Sequence, residues 1–311
     1  MELIASIIIP TFNRNEIANV CINSVVACNL NNIEIIVVND SKENKFVLSV
    51  NNNKNYVQVI DNPGKGVASA RNYGAKQARS PKLIFVDDDM ILNSEAIQKA
   101  IEFLNANTKA TYNANWTYEK QLIEKISETQ FGRYLINSNY TTLKGWNEGS
   151  IKWDENSLIE ANGITSQFFA ITKQNFELIG GYNEKFPFAG FEDYEFYANM
   201  KTKGIINYID TTVMIYHNEI DRVNVQNWLE RKKRGAITRK VAVQMGFKEL
   251  EIKYNTFKKI ILTVISQIKP IIHLFYKIIP SLKLFDSIYS KIINLLIAVY
   301  IFDGYQSKNA N

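Results

Sequence analysis

The chain has 311 residues, of which 46% are hydrophobic and 22% are charged. This length and composition predict a globular protein of about two domains and exclude an intrinsically disordered chain. The net charge of +5 lies in the C-terminal region, because residues 246–311 contain nine lysines and four acidic residues while the preceding residues balance. This placement argues against a nucleic-acid-binding protein, which needs a basic folded body, and predicts a tail that meets an anionic surface.

The two cysteines, Cys21 and Cys28, lie seven residues apart in a segment of helical periodicity, and we expect both in the core. The sequence has no Cys and His cluster with zinc spacing and no disulfide framework, as is typical of a reducing cytoplasm. The N-terminus lacks a charged region followed by a cleavable apolar segment, so nothing there predicts export.

The first 90 residues alternate short apolar, β-branched runs with segments of helical periodicity. Strands are predicted at residues 6–10, 34–39, 56–60 and 83–86, and helices at residues 16–28 and 64–78. This alternation predicts an α/β protein with a mixed but mainly parallel, Rossmann-like sheet flanked by helices.

The composition shifts toward Asn, Thr, Tyr and Trp over residues 105–152, where we predict one helix near residues 118–135. A strand at residues 163–171, a helix that begins at Thr172 and ends at Gly180, a helix at residues 192–203 and a strand at residues 213–216 follow. We therefore divide the chain into residues 1–110 and 111–220, as two halves of one domain, and a helical tail at residues 221–311.

The tail is apolar, is interrupted by Pro270 and Pro280, and carries single lysines. Its longest uncharged run, residues 292–302, is shorter than the ~20 residues of a membrane-spanning helix. The prolines must break any helix here, but placed at 100° per residue five lysines fall within roughly a third of the helical circumference, as in helices that lie in a membrane interface: Lys259, Lys269, Lys277, Lys283 and Lys291. A helical hairpin packed on the core and a dimer contact are the alternatives.

The predicted strand at residues 83–86 runs directly into Asp87, Asp88 and Asp89. If the chain stays extended, Asp87 and Asp89 point to one face and Asp88 to the other. Two carboxylates at the carboxyl edge of a parallel sheet predict a Mg²⁺ or Mn²⁺ ion that holds a diphosphate. An acidic turn without a ligand is the alternative.

Four segments together resemble, in order and spacing, the N-terminal half of family 2 glycosyltransferases of the GT-A fold: residues 6–14, 35–40, 64–74 and 85–89. Two later segments, residues 180–186 and 191–196, resemble the acceptor-side motif that this family shares with galactosyltransferase-like enzymes. The resemblance covers about residues 4–220 and does not include the tail.

The resemblance implies a nucleotide-sugar site at the ends of the first strands. It places Pro10, Thr11 and Arg14 near the base or ribose, and it makes Asp40 an acceptor for a pyrimidine N–H. In the glycine-rich segment, Gly66 allows close backbone approach and Arg71 offers a fork for a base or phosphate. The remaining implied positions are donor contacts at Asp87 and, more weakly, Asp88, and metal ligation by Asp89 and His217.

Inverting transfer needs a carboxylate that removes a proton from the attacking hydroxyl, and the resemblance assigns this role to Asp193. Glu192 is then expected to orient the acceptor. Both residues lie at a predicted helix N-terminus, where the macrodipole favours the ionised form. Simple helix capping is the alternative.

These features together predict a peripheral enzyme on the inner face of the cell membrane. It would transfer a hexosyl or N-acetylhexosaminyl group from a UDP-linked donor to a saccharide or lipid-linked saccharide in surface-polysaccharide synthesis. A non-catalytic membrane-bound partner in glycan assembly stays open. A sugar nucleotidyltransferase also stays open, although residues 10–14 lack the Gly-rich, basic loop that it requires.

Overall fold

The computed structural model describes residues 2–50 and 56–307. The described residues form two compact units. Unit 1 lies within Met1–Glu119, Thr142–Lys185 and Glu192–Asn218, and unit 2 comprises Lys120–Thr141, Phe186–Phe191 and the described part of Glu219–Asn311. The predicted boundary near residue 220 thus falls beside the end of unit 1, whereas the predicted division at residue 110 lies inside unit 1, at the start of a strand.

Nine strands in the described part of the chain form one mixed sheet, and all of them belong to unit 1. They are β1 (Ala5–Thr11), β2 (Ile33–Asn39), β3 (Tyr56–Asp61), β4 (Lys82–Val86), β5 (Met90–Ile91), β6 (Ala110–Thr117), β7 (Leu158–Glu160), β8 (Phe168–Thr172) and β9 (Ile206–His217). Their order across the sheet is β3-β2-β1-β4-β8-β6-β9-β5, and β7 also pairs with β9.

Strands β3, β2, β1 and β4 run parallel, so their carboxyl ends meet at one edge of the sheet. Ile7 of β1 lies between Ile35 of β2 and Ile84 of β4 in this register. Both β1 and β2 are buried along their whole length, because a parallel sheet is covered on both faces. The predicted α/β class and mixed sheet are confirmed.

The helices, in chain order, are α1 (Asn15–Ala27), α2 (Val67–Gln77), α3 (Ser94–Ala106), α4 (Lys120–Ser127), α5 (Gln130–Asn137), α6 (Leu143–Trp146), α7 (Lys173–Ile179), α8 (Glu192–Thr202), α9 (Val225–Gln244), α10 (Thr256–Gln267), α11 (Lys269–Ile278) and α12 (Asp286–Gln306). Six of them belong to unit 2, namely α4, α5 and α9 to α12.

Two glycines set the position of α2 on the sheet. Gly66 precedes the helix with φ of 90°, a left-handed conformation that other residues adopt only with strain. Within the helix, a Cβ atom on Gly74 would lie 2.4 Å from Cγ2 of Ile8. The absence of a side chain therefore lets α2 pack directly on β1.

The polar segment after residue 105 contains a strand that we did not predict. Strand β6 is buried almost throughout although its sequence is Ala-Thr-Tyr-Asn-Ala-Asn-Trp-Thr. Its polar side chains bond within the sheet: Thr111 Oγ1 and Asn113 Nδ2 both donate to Asn207 Oδ1, at 2.7 and 2.6 Å. The strand shows no apolar periodicity because its buried positions include polar side chains whose hydrogen-bonding groups have partners within the sheet.

Three predicted element bounds were wrong. The single helix near residues 118–135 is two helices, α4 and α5, and Thr129 caps the second through its side chain. The strand expected from residue 163 begins at Phe168, and the last strand begins at Ile206, seven residues before its predicted start. The helix begun by Thr172 and ended by the left-handed Gly180 is confirmed.

Unit 2 is built around α9 and α12, whose side chains share a core with α5. Trp228 and Leu229 of α9 pack in this core with Ile293 and Leu296 of α12. The uncharged run at residues 292–302 is only part of α12, which is continuous over 21 residues and is, by length and composition alone, long and apolar enough to cross a bilayer. Lys291 and Asp303 flank the uncharged run but do not end the helix, so α12 is longer than that run.

The tail lysines are spread over more than one helix, as the prolines predicted. Helices α10 and α11 meet at a bend of 67°, and Pro270 lies in the first turn of α11. Proline has no N–H and disfavours helical geometry in the residue before it, which accounts for the break.

Candidate active site

The three consecutive aspartates lie in a turn that follows β4. The strand ends at Val86, and the N–H of Met90 donates to the carbonyl of Asp87 at 3.2 Å. Asp88 and Asp89 point toward one shared cation, whereas Asp87 points to a different one. The predicted pairing of Asp87 with Asp89 was therefore wrong, because the two-residue alternation of a strand does not continue through a turn.

The shared cation of Asp88 and Asp89 is Arg14, which follows β1. Its Nη1 atom lies 2.5 Å from Asp88 Oδ1 and 2.8 Å from Asp89 Oδ2. Thr11 Oγ1 donates to the other Asp88 oxygen at 2.7 Å. These contacts join the carboxyl ends of the neighbouring strands β1 and β4, and the predicted contact of Arg14 with a base or ribose stays a prediction.

Asp40, at the end of β2, holds the start of the glycine-rich segment. Both of its carboxylate oxygens accept the N–H of Gly66 at 2.9 Å, and Oδ1 also accepts Asn62 Nδ2 at 2.7 Å. An ionised carboxylate has about four acceptor positions, so capacity remains for a further N–H donor. Pro10 lies one residue before the end of β1 and pairs with Val38.

His217 lies at the last position of β9 and faces Asp89. Its Nε2 atom is 3.2 Å from Asp89 Oδ1, and both side chains are buried. The rings of Trp116 and Tyr118 contact the imidazole edge to face, with centroid distances of 4.9 and 5.6 Å. This arrangement brings together two residues that lie 128 positions apart in the chain.

Arg71 is a buried cation in unit 1 that three carboxylates surround. Its side chain is only 3% exposed, and Nη2 lies 2.9 Å from Asp87 Oδ1 while Nη1 lies 3.2 Å from Glu192 Oε1 and 3.7 Å from Asp193 Oδ1. The ring of Tyr182 lies 5.1 Å from its Cζ atom. Burial alone would lower the pKa of Arg71, but these carboxylates raise it above its ordinary value. The guanidinium group of Arg71, which we predicted to contact a base or phosphate, therefore contacts carboxylates of the protein itself.

Asp193 lies in the first turn of α8, as predicted, next to Glu192. Burial raises the pKa of Asp193 to about 7, and the adjacent Glu192 carboxylate acts in the same direction, while Arg71 and a hydrogen bond from Ser166 act against it. The prediction that the helix N-terminus keeps this acid ionised was wrong at neutral pH, because burial and the Glu192 carboxylate outweigh the groups that favour the ionised form. Asp193 therefore titrates near neutral pH.

Ser166 is a site residue that the sequence analysis missed. It precedes β8, is 3% exposed, and donates through Oγ to Asp193 Oδ1 at 2.5 Å. No local motif marks it, since a single serine before a strand has no distinguishing spacing. Tyr182, beside Arg71, also lines a cavity of about 600 Å³ together with Asn72, Glu184, Lys185 and Glu195.

Of the two cysteines, Cys21 lies in the core beneath the aspartate turn, with Sγ 3.6 Å from the carbonyl oxygen of Asp87. Burial raises the pKa of its thiol well above the ordinary value, and Asp88 and Asp89 add to this shift. Cys28 is half-buried at the C-terminus of α1, so its predicted place in the core was wrong. Both are free thiols in the structure.

The curated relatives that this chain matches are glycosyltransferases. An uncharacterized glycosyltransferase of Haemophilus influenzae is 26% identical over 192 residues, which are 61% of this chain and 60% of that protein. The Escherichia coli UDP-Glc:alpha-D-GlcNAc-diphosphoundecaprenol beta-1,3-glucosyltransferase WfaP is 25% identical over 226 residues, 71% of this chain and 80% of that protein. The chain spans less than two thirds of several curated relatives that it matches.

Among solved structures, a mannosyltransferase from Pyrobaculum calidifontis in complex with GDP-Man and Mn²⁺ matches 99% of this chain and 89% of its own, with a TM-score of 0.55 and 11% identity. This likeness concerns the fold and supports the GT-A class, which is thereby confirmed. The family model for glycosyl transferase family 2 matches residues 6–162, which is half of the chain. The chain therefore belongs to glycosyl transferase family 2.

Proposed function

We propose that this protein transfers one hexosyl or N-acetylhexosaminyl group from a UDP-linked donor to a saccharide acceptor, with inversion of the anomeric centre. The observation that carries the proposal is the Arg71 cluster. It joins Asp87, at the predicted donor edge of the sheet, to Glu192 and Asp193 on the predicted acceptor side, all within one unit. The proposed donor-side and acceptor-side carboxylates thus contact one buried cation, Arg71.

In the proposed reaction an acceptor hydroxyl oxygen attacks the anomeric carbon from the face opposite the leaving group. The new oxygen–carbon bond forms as the bond between that carbon and the diphosphate oxygen breaks, and the electron pair leaves with the nucleoside diphosphate. Asp193 takes the hydroxyl proton, and Glu192 orients the acceptor beside it. A carboxylate with a pKa of about 7 suits this role, since a general base works best when its pKa lies near the working pH.

The residues around Asp89 fit a divalent cation. Asp89 Oδ1 and His217 Nε2 lie 3.2 Å apart, and two ligands at bonds of about 2.1 Å to one small ion lie roughly 3 Å apart when at right angles. One carboxylate oxygen and one imidazole nitrogen suit Mn²⁺ better than Mg²⁺. When bound, such an ion would stabilise the negative charge that develops on the leaving diphosphate.

The remaining donor contacts are proposed from the family motifs. Thr11 and Pro10 would lie against the nucleoside, and Asp40 would accept from a pyrimidine N–H with its remaining acceptor capacity. Gly66 leaves open space where other residues carry a Cβ. Arg14 would then share Asp88 and Asp89 with the bound donor and ion.

The proposed acceptor is a lipid-linked saccharide in surface-polysaccharide synthesis. WfaP, which shares 25% identity with this chain, carries a diphosphoundecaprenol-linked acceptor in its name. A UDP-linked donor is proposed on the same ground. An acceptor of this kind would place the protein on the inner face of the cell membrane as a peripheral protein.

The proposal is tested by a donor screen. Purified protein is incubated with Mn²⁺ and UDP-, GDP- and dTDP-sugars, with and without detergent-solubilised undecaprenyl-diphosphate saccharide, and released nucleoside diphosphate is measured. Asp193→Asn and Asp89→Asn are compared with Glu177→Gln, which changes an exposed carboxylate on α7. The anomeric configuration of the product is read from its proton NMR coupling constant.

Metal-dependent release from one donor, abolished by the two aspartate variants and unaffected by the control, supports the proposal. A product that keeps the donor configuration would rule out the single-displacement step. UDP binding without release under any acceptor would favour the non-catalytic alternative.

A further inference from the structure

The helices α10 and α11 expose apolar stripes that nothing in the described structure covers. The exposed residues on α10 recur at helical spacing, and so do those on α11. They are Phe257, Ile260, Ile261 and Val264 on α10, Ile268 at the bend, and Ile271, Leu274, Phe275 and Ile278 on α11. Nine exposed apolar side chains on two adjoining helices are unlike the scattered single apolar residues of an ordinary surface, and clustered apolar exposure of this kind marks an interaction site.

The opposite faces of the two helices pack into unit 2 and account for their position. Leu262 of α10 packs with Val299 and Phe302 of α12. Ile272 of α11 packs with Tyr289 and other residues of the α9 and α12 core. The exposed stripes therefore belong to folded helices that are held in place on one side, with an apolar surface left on the other.

The charged side chains that stay exposed within residues 256–307 have a single sign. Both acidic residues within residues 256–307 are paired, because Asp286 accepts from Arg133 at 2.7 and 2.8 Å and Asp303 binds Lys269 and Ser266. The lysines that stay exposed in this region are Lys258, Lys259, Lys277, Lys283 and Lys291. The apolar surface is thus bordered by positive charge and by no unpaired carboxylate within this described segment.

We propose that the bent α10–α11 pair (residues 256–278) is a docking surface for an anionic phospholipid bilayer. The apolar stripes enter the interface in the plane of the membrane, and the lysines contact lipid phosphates. An interfacial helix has this combination of an apolar face, buried about 5–10 Å, and flanking lysines. The inference deepens the proposed membrane location and does not depend on the proposed sugar transfer.

Two other arrangements fit these observations less well. A membrane-spanning role for α12 would have to remove Tyr289, Ile293 and Leu296 from the core of unit 2, in which they are buried. A second copy of the chain, placed face to face on the same surface, would bring the flanking lysines against one another, and like charges repel.

The experiment measures co-flotation of the full chain with vesicles of phosphatidylcholine alone and of phosphatidylcholine mixed with phosphatidylglycerol. We expect the wild type to bind the mixed vesicles. The triple variant Phe257→Ser, Leu274→Ser and Phe275→Ser should lower the partition coefficient at least about tenfold. Each single variant Lys258→Gln, Lys259→Gln and Lys277→Gln should lower it about fivefold. Because all six side chains are exposed or largely exposed, the variants should keep the wild-type circular dichroism.

Matched controls are Leu178→Ser, an exposed leucine on α7, and Lys120→Gln, an exposed lysine on α4. Insertion is read separately from quenching of Phe275→Trp fluorescence by brominated lipid chains, with Leu178→Trp as reference. Wild-type protein that ignores mixed vesicles, or a triple serine variant that binds them like the wild type, would overturn the proposal. A wild-type dimer in solution that the serine variant converts to a monomer, without vesicle binding, would assign the surface to a second copy.

Discussion

Replacing Ser166 by alanine should change the pH at which the protein works. Ser166 Oγ donates to Asp193 Oδ1 at 2.5 Å, and this bond stabilises the ionised carboxylate. Burial and Glu192 already raise the pKa of Asp193 to about 7, with Ser166 acting in the opposite direction. Loss of the hydroxyl removes one of the two groups that oppose this rise, so the pKa of Asp193 should increase further.

The size of the change follows from the bond and its surroundings. A hydrogen bond to a charged group contributes about 1.5–3 kcal/mol, and 1.36 kcal/mol corresponds to one pKa unit, so an increase of about one to two units is expected. Asp193 is 24% exposed and keeps Arg71 at 3.7 Å, so water can partly replace the hydroxyl and the lower figure applies. With a pKa near 8, the ionised fraction at pH 7 falls from about a half to about a tenth.

The measurement is the pH profile of kcat/KM for nucleotide release. Ser166→Ala should lose about fivefold at pH 7 and recover most of this loss at pH 9, since only the ionised base is active. Ser166→Thr, which keeps a hydroxyl, should restore the wild-type midpoint. Ser80→Ala, which removes another buried hydroxyl from unit 1, is the matched control. An equal loss at every pH, or an unchanged profile, would refute the assigned role of Ser166.

Three further changes have defined outcomes. Folding raises the pKa of Asp193, so the stability that its protonated form contributes is complete below about pH 4 and is lost as the pH rises through about 7. Asp193→Asn should therefore raise the free energy of urea unfolding at pH 8 by on the order of 2 kcal/mol and leave it unchanged at pH 4. Gly74→Ala places a Cβ 2.4 Å from Ile8 Cγ2, and it should lower the free energy of unfolding by about 1–3 kcal/mol; an unchanged urea midpoint would contradict the close packing of α2 on β1. Mn²⁺ at a hundred times its Kd should stabilise the wild type by about 2.7 kcal/mol in thermal unfolding and should leave Asp89→Asn unaffected, whereas equal stabilisation of both would place the ion elsewhere.

The amino-acid sequence alone predicts those parts of the protein that depend on neighbouring residues. The runs of β-branched residues in β1 and β2 predict strands, because such residues favour extended backbone and a strand buried on both faces is apolar along its length. Thr172 and Gly180 delimit α7 through a side-chain cap and a left-handed residue, which are properties of single positions. The order of the family motifs likewise sufficed to predict the GT-A fold.

The tertiary structure decided which charged groups meet. Arg71 and Glu192 are 121 residues apart, and Ser166 and Asp193 are 27 apart, yet each pair is joined by a hydrogen bond. No periodicity encodes such pairs, because the long-range packing of the sheet brings them together. The turn after β4 similarly directs Asp87 and Asp89 to different arginines, against the alternation of an extended chain. The pKa of Asp193 depends on this arrangement, since burial and the sharing of one cation among three carboxylates exist only in the folded protein.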